Sequence, residues 1–317
     1  MIAADAAPRD PFAHPALFYG DEHDYVSGTV PFVRAALEAG EPVAVAVPAE
    51  NLRLIRDELG AEADAVRLLD MREAGRNPGR IIPGVLRAFA DAQPPGVHVH
   101  IIGEPIWAGR SPTEYPACVQ HEALINAAFR GRTVTILCPY DTRRLPAQVI
   151  ADAEATHPTL LPAGSTQTRN SGAYAPEAVV ARYNTPLPPA PDVLAFRYDA
   201  DTLPEARHFA TAEGVRLGLA PARVEDLALV TAELATNSVV HGGGSGSVRV
   251  WAEGGRGGHV VVEVRDKGHL TDPLAGRRPA SRAQRGGRGL LLVNLVSDLV
   301  RLHTEPGGTT IRCWFAL

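Results

Sequence analysis

Two rhythms of apolar and polar positions divide the chain. In the first part, short unbroken apolar runs alternate with helically spaced ones. Val43-Ala-Val-Ala-Val47 predicts a strand buried on both faces, Leu52 to Leu59 a helix and Val66 to Leu69 a second strand. Ile82 to Ala92 follows as a helix, His98 to Ile102 as a strand, Cys118 to Phe129 as a helix and Thr133 to Cys138 as a fourth strand. Strands separated by helices predict an α/β domain with a mostly parallel sheet covered on both faces. The last part reads differently. Leu203 to Leu217 and Val224 to Val240 have helical spacing, while Ser247 to Glu253 and His259 to Arg265 read as strands joined by a Gly-rich turn. Gly289 to Asp298 is again helical, and Leu299 to Thr304 and Thr310 to Leu317 form a hairpin around Pro306-Gly-Gly308. Helices beside an antiparallel sheet predict an α+β sandwich.

Between the two lies Ala163 to Val193, mixing Pro, Ser, Thr, Gly and Asn and ending in Pro186-Leu-Pro-Pro-Ala-Pro191. Prolines at that density suppress helix and sheet and stiffen the chain. The expected organisation is a domain over residues 1–162, a linker over 163–193 and a second domain over 194–317. No internal repeat is visible.

One helix carries the chemistry. Glu233, Asn237 and His241 stand four apart and share a face, whereas Leu227, Leu229, Val230, Leu234, Ala235, Val239 and Val240 make the rest apolar. A polar stripe on an apolar helix costs desolvation unless something satisfies it. A magnesium–nucleotide complex would do so.

Composition narrows the classes. A net charge of −5 with no long basic run argues against a nucleic-acid partner, although Arg277, Arg278, Arg282, Arg285 and Arg288 cluster. Cys118, Cys138 and Cys313 are scattered and odd in number, which suits a reducing cytoplasm rather than a disulfide framework. Asp5, Arg9 and Asp10 interrupt any signal-peptide core, and no apolar run is long enough to span a membrane.

Three boxes in order then make the C-terminal part specific: Glu233-x-x-x-Asn237 with His241-Gly242, Asp266-x-Gly268, and Gly286-Gly-Arg-Gly-Leu-Leu-Leu-Val293, followed by Gly308-Thr-Thr310. From about Phe196 onward the chain resembles the GHKL (Bergerat-fold) ATP-binding domain, most of all its bacterial anti-sigma factor and serine-kinase branch. The resemblance implies ATP and Mg²⁺ as cofactors. Asn237 would ligate Mg²⁺ through its side-chain oxygen, with His241 beside it, and Glu233 would act as general base. Asp266 would accept from the adenine amino group, and Gly268 would let the backbone pass close to the ring. Gly286, Gly287 and Gly289, with Leu290 opening the helix, would offer N–H groups to the phosphates. Arg285 or Arg288 would neutralise phosphate charge, and Thr310, with Thr309, would support the adenine end. One departure stands out: the second glycine usual after Asp-x-Gly is absent, since His269 and Leu270 follow Gly268. The lid from Leu270 to Arg285 is also short and holds Pro273 and Pro279, which favours binding over turnover.

His14-Pro-Ala-Leu-Phe-Tyr19, Val97-His-Val-His-Ile-Ile-Gly-Glu104, Glu122-x-x-x-Asn126 and Leu137-Cys-Pro-Tyr-Asp141 resemble the MEDS sensory domain, with a layout similar to a degenerate RecA-like core. Ser27-Gly-Thr29 stands where a phosphate loop would lie, but the Gly-Lys-[Ser/Thr] sequence is missing. Glu104 ends a strand, at the edge where α/β sheets bind ligands. His14, Tyr19, Glu104, Trp107, Glu122, Asn126, Cys138 and Tyr140 are candidate pocket residues for an unknown small molecule, and the aromatic and cysteine side chains would equally serve as core packing.

The expected protein is thus a cytoplasmic signalling regulator in which a sensor governs an anti-sigma-type ATP-binding serine kinase. Its implied partners are a sigma factor, a STAS-type anti-anti-sigma factor or both, and the resemblance also allows a homodimer. The alternative is a non-catalytic binding module with a structural nucleotide site. A histidine kinase fits less well, because His208 lies inside the first helix of the ATP domain and no paired helices precede it.

Overall fold

The computed structural model describes residues 10–165, 167–255, 257–279 and 287–317. The chain forms two compact units. The first comprises residues up to Ala74, Leu86–Arg110 and Glu122–Val179; the second comprises Gly75–Val85, Ser111–His121 and Val180–Leu317.

The first unit is built on a seven-stranded sheet. Its elements run β1 (Pro15–Tyr19), α1 (Glu22–Glu38), β2 (Val43–Val47), α2 (Ala49–Leu59), β3 (Arg67–Asp70), α3 (Met71–Ala74), α4 (Arg87–Ala90), β4 (Val99–Gly103), α5 (Tyr115–Phe129, shared with the second unit), β5 (Val134–Asp141), α6 (Ala147–Thr156), β6 (Thr159–Leu161) and β7 (Arg169–Asn170). The order is β3-β2-β4-β5-β1-β6-β7, parallel throughout except for β7. Every side chain of Val43–Val47 is buried, as an unbroken apolar run requires in a sheet covered on both sides.

Strand β1, which lies between β5 and β6, is absent from the sequence expectation. Its run of five residues opens on proline and has no alternation, although Gly20-Asp21 marks the turn that follows it. Only its neighbours β5 and β6 make it a strand. The fourth expected strand also extends past Cys138 to Asp141. The β4 ladder stops at Leu137 while the β1 ladder continues, so Pro139 sits where one side of β5 has no partner and its missing N–H is not needed.

In the stretch expected as linker, Arg169–Asn170 pairs with β6, and α7 (Pro176–Arg182) forms a helix. Pro176 stands at the start of that helix, where proline is tolerated; the prolines that suppress structure gather later, over 186–191.

The second unit holds β8 (Phe196–Asp199), α8 (Leu203–Arg216), α9 (Pro221–His241), β9 (Ser245–Glu253), β10 (His259–Asp266), α10 (Gly289–Val296), β11 (Leu299–Glu305) and β12 (Gly308–Ala316). The strands form an antiparallel five-stranded sheet in the order β11-β12-β10-β9-β8. Alternation on β10 sends Val260, Val262 and Val264 into a core shared with Leu227, Val230 and Leu234 of α9. The opposite face buries Glu263 against Arg312, Nε to carboxylate at 2.7 Å, with the Arg312 guanidinium over the Trp251 ring. This is the α+β sandwich expected. The helix α9 is not buried all round, however: Leu229 and Val240 are exposed, because the helix packs on the sheet by one side only.

The short segment Gly75–Val85 packs on α10 within this unit. Asn77 Nδ2 donates to the Asn294 carbonyl at 2.8 Å, and the Val300 N–H donates to Asn77 Oδ1 at 3.3 Å. Asn294 Nδ2 in turn donates to the carbonyls of Leu290 and Gly276, both at 3.1 Å.

Candidate functional site

A cavity of about 350 Å³ opens in the second unit between α9, the end of β10 and the start of α10. That volume lies in the range that takes nucleotide-sized ligands. Asn237, His241, Asp266, Gly268, Gly287, Gly289 and Leu290 all line it, so three sequence boxes separated by many residues converge on one wall.

Each group is held by its local structure. Asn237 is half-buried on α9, and His241, the last residue of that helix, is exposed at the cavity rim. Asp266 ends β10; its Oδ2 accepts from Ser238 Oγ at 2.7 Å and its Oδ1 from the Gly268 N–H at 2.8 Å. Tyr198 donates to Ser238 at 3.0 Å, and burial pushes its phenol up to about 12. This relay fixes the carboxylate of Asp266 as an oriented acceptor at the cavity. Neither Ser238 nor Tyr198 is marked by the sequence pattern: one is a small polar residue inside a helix, the other lies on a strand the pattern does not predict.

The glycines have physical reasons of their own. A Cβ on Gly268 would stand 2.8 Å from both Gly242 Cα and the His241 carbonyl. The close approach that demands glycine is therefore backbone to backbone, between the ends of α9 and β10, and not only backbone to a ligand ring. Gly287 has φ +72°, a conformation that disfavours side chains, and leads into α10. Gly289 opens that helix, so free N–H groups at its first turn face the cavity.

Three expected residues are placed differently. Glu233 is half-buried on α9 and outside the cavity lining; its Oε2 would meet a Cβ on Gly289 at 2.6 Å, so the start of α10 lies over it. Thr309, not Thr310, lines the cavity, because alternate residues of β12 face opposite ways. Thr309 Oγ1 donates to the Gly268 carbonyl at 2.8 Å. Arg288 is the N-cap position of α10 and is not part of the lining, while Arg285 and Gly286 lie outside the described residues.

The cavity suits a magnesium–nucleotide complex. Its lining offers an oriented carboxylate acceptor in Asp266, the N-terminal residues of α10 and a neutral oxygen ligand in Asn237.

The candidate pocket residues of the first unit separate into two groups. Tyr19, Glu104 and Trp107 gather at the carboxyl ends of β1 and β4, with Asn51 and Asp141. The carboxyl edge of a parallel sheet is where α/β folds open a crevice for ligands. Glu104 is buried. It accepts from Asn51 Nδ2 at 2.8 Å, Tyr19 at 3.2 Å and Tyr25 at 3.3 Å, yet burial outweighs these donors and pushes its carboxyl up to about 8. His14, Glu122 and Asn126 sit instead at the other end of β1 with Cys138. Tyr140 packs its ring against His157 at 5.5 Å and belongs with this second group. Sequence pattern gives no reason to single out His157, which follows α6 without spacing to any partner.

Residues 13–158 match the MEDS (methanogen/methylotroph, DcmR sensory) domain, and residues 196–315 match the histidine kinase-like ATPase domain. No curated protein matches the chain. No helix among the described residues is long and apolar enough to cross a membrane. The chain therefore joins a MEDS sensory domain to a histidine kinase-like ATPase domain of the GHKL fold.

Proposed function

We propose that this protein is a cytoplasmic, ATP-binding signalling regulator of the anti-sigma type, in which the sensory domain governs a nucleotide site that serves a partner protein. The observation that carries the reading is the convergence of Asn237, Asp266, Gly287 and Gly289 on one nucleotide-sized cavity. Asn237 would hold the magnesium, Asp266 the adenine edge and the first turn of α10 the phosphates. The nucleotide would supply a transferable phosphoryl group, and Glu233 would take the proton from an incoming serine hydroxyl. A STAS-type anti-anti-sigma factor is the proposed acceptor, and a sigma factor the proposed sequestered partner. Regulation is supported by the joining of a sensory domain and an ATPase domain in one chain.

A second reading is favoured by the position of Glu233 outside the cavity lining. In it, nucleotide binding alone sets partner affinity. Calorimetry with Mg²⁺-ATP, followed by phosphate transfer to candidate STAS partners, tests both. Asn237→Ala should abolish binding. Glu233→Ala should keep binding and lose transfer; transfer that survives in Glu233→Ala would remove that residue from the chemistry. Absence of transfer in wild type despite tight ATP binding would leave the binding module.

A further inference from the structure

At the amino end of β1 four ligand atoms converge, and the Cys138 thiol, which donates to His14 Nε2, is the proton donor that the contacts place among them. His14, Glu122, Cys138 and His157 are all buried, and their ligand atoms lie within 4.8 Å of one another. They come from four places on the fold: His14 from the residue before β1, Cys138 from β5 paired beside it, Glu122 from α5 and His157 from the end of α6.

The tautomers follow from the outer contacts. Asn126 Nδ2 donates to the Thr156 carbonyl at 2.8 Å and the Ala123 carbonyl at 3.2 Å, which leaves its Oδ1 as acceptor for His14 Nδ1 at 3.2 Å. His157 Nδ1 donates to the Ala153 carbonyl at 2.8 Å. Both rings therefore carry their proton on Nδ1 and turn the Nε2 lone pair inward.

There, His14 Nε2 stands 3.4 Å and His157 Nε2 3.2 Å from the same Glu122 oxygen, and Cys138 Sγ stands 3.4 Å from His14 Nε2. Neither Glu122 oxygen nor His157 Nε2 makes a hydrogen bond of good geometry. A buried carboxylate facing two imidazole lone pairs is strongly unfavourable unless a proton or a metal ion lies among them, and a metal ion would engage all four groups at once. Ligand atoms around a tetrahedral ion with bonds of ~2.0–2.3 Å stand roughly 3.3–3.7 Å apart. Two of these three contacts, both 3.4 Å, fall in that range and the third, at 3.2 Å, lies just below it. Outer hydrogen bonds that fix the imidazoles are what metal-binding histidines require.

We propose that His14, Glu122, Cys138 and His157 bind one divalent transition-metal ion of borderline softness, zinc or a close relative, in a tetrahedral two-nitrogen, one-sulfur, one-oxygen site inside the sensory domain. The thiolate and carboxylate balance the charge of the ion, so the complete site is neutral and fit for burial. Glu41, His98 and His100 form a second, partly exposed group without sulfur, which makes it a built-in control.

The test is a cobalt titration of the chelator-treated full chain. The expected result is one tight cobalt per chain with the intense d–d bands of a tetrahedral centre and a thiolate-to-cobalt charge-transfer band, displaced by zinc. Cys138→Ser should lose the charge-transfer band, whereas Cys313→Ser and the pair His98→Gln, His100→Gln should keep it. Asn126→Ala should weaken cobalt binding by roughly 10–100-fold. X-ray absorption of the zinc-loaded wild type, which does not depend on any variant folding, should show one sulfur in the first shell. A natively folded chain that binds no cobalt, a spectrum without sulfur, or a charge-transfer band that survives Cys138→Ser would each overturn the proposal.

Discussion

Replacing Glu104 by glutamine should flatten the pH dependence of the first unit's stability. The folded carboxyl is pushed from 4.5 up to about 8, chiefly by burial. A carboxyl whose folded pKa is raised binds more protons in the folded state across that window. Its stability contribution is therefore complete below the unfolded pKa, declines as pH rises and is lost once pH passes the folded pKa. At about 1.4 kcal/mol per unit the whole shift amounts to about 5 kcal/mol, of which about 3–4 kcal/mol should disappear between about pH 5 and about pH 8. The amide introduced by Glu104→Gln would still accept from a tyrosine hydroxyl but would turn its own NH₂ toward one of the donors now serving Glu104. That cost is independent of pH, so the slopes decide and not the absolute values. His14, which burial lowers to about 4, adds its own acid-side dependence, common to both proteins and cancelling in the difference. The assay is urea unfolding at a series of pH values, read by Trp107, which lines the Glu104 crevice, in a Trp251→Phe, Trp314→Phe background. Parallel stability curves for the parent and its Glu104→Gln variant would refute the reasoning and mean that the three hydrogen-bond donors keep the carboxylate charged.

Other outcomes follow from the same structure. Gly268→Ala should weaken Mg²⁺-ATP binding measured by calorimetry and lower the melting temperature, because its Cβ meets backbone atoms at 2.8 Å that have no way to rotate aside. Gly79→Ala should destabilise the second unit in thermal melts, since the added Cβ would fall 1.9 Å from Asn294 Oδ1 and break the contacts of Asn77; unchanged melting would show that Asn294 repacks freely. Arg312→Ala should cost about 3–5 kcal/mol in denaturant unfolding, as it strands the buried Glu263 with only the more exposed Arg249 at 3.2 Å. Arg312→Ala together with Glu263→Ala should recover part of that loss.

The hydrophobic rhythm of the chain determined both fold classes. Val43–Val47 has to be a doubly buried strand, and Glu233, Asn237 and His241 have to share a face of α9, because strand and helix periods are local properties of the backbone. The resemblance of the ordered boxes implied that Asp266, Gly268, Gly287 and Gly289 share one site. Their convergence on one cavity is tertiary, as are the approach of α9 to β10 that demands Gly268 and the Ser238 contact that orients Asp266. What tertiary structure decided was everything that rests on a neighbour. Strand β1 exists because β5 and β6 flank it; Thr309 rather than Thr310 faces the cavity because of the β12 register; Glu233 lies under the start of α10. The clearest case is the set of sensory residues, which reads as one pocket along the sequence. The length of β1 separates Tyr19 and Glu104 from His14 and Glu122, and the fold brings in His157 from the end of α6 to complete the second group. Local pattern reports which way a side chain faces on its own element, but which distant lone pairs meet depends on how those elements pack.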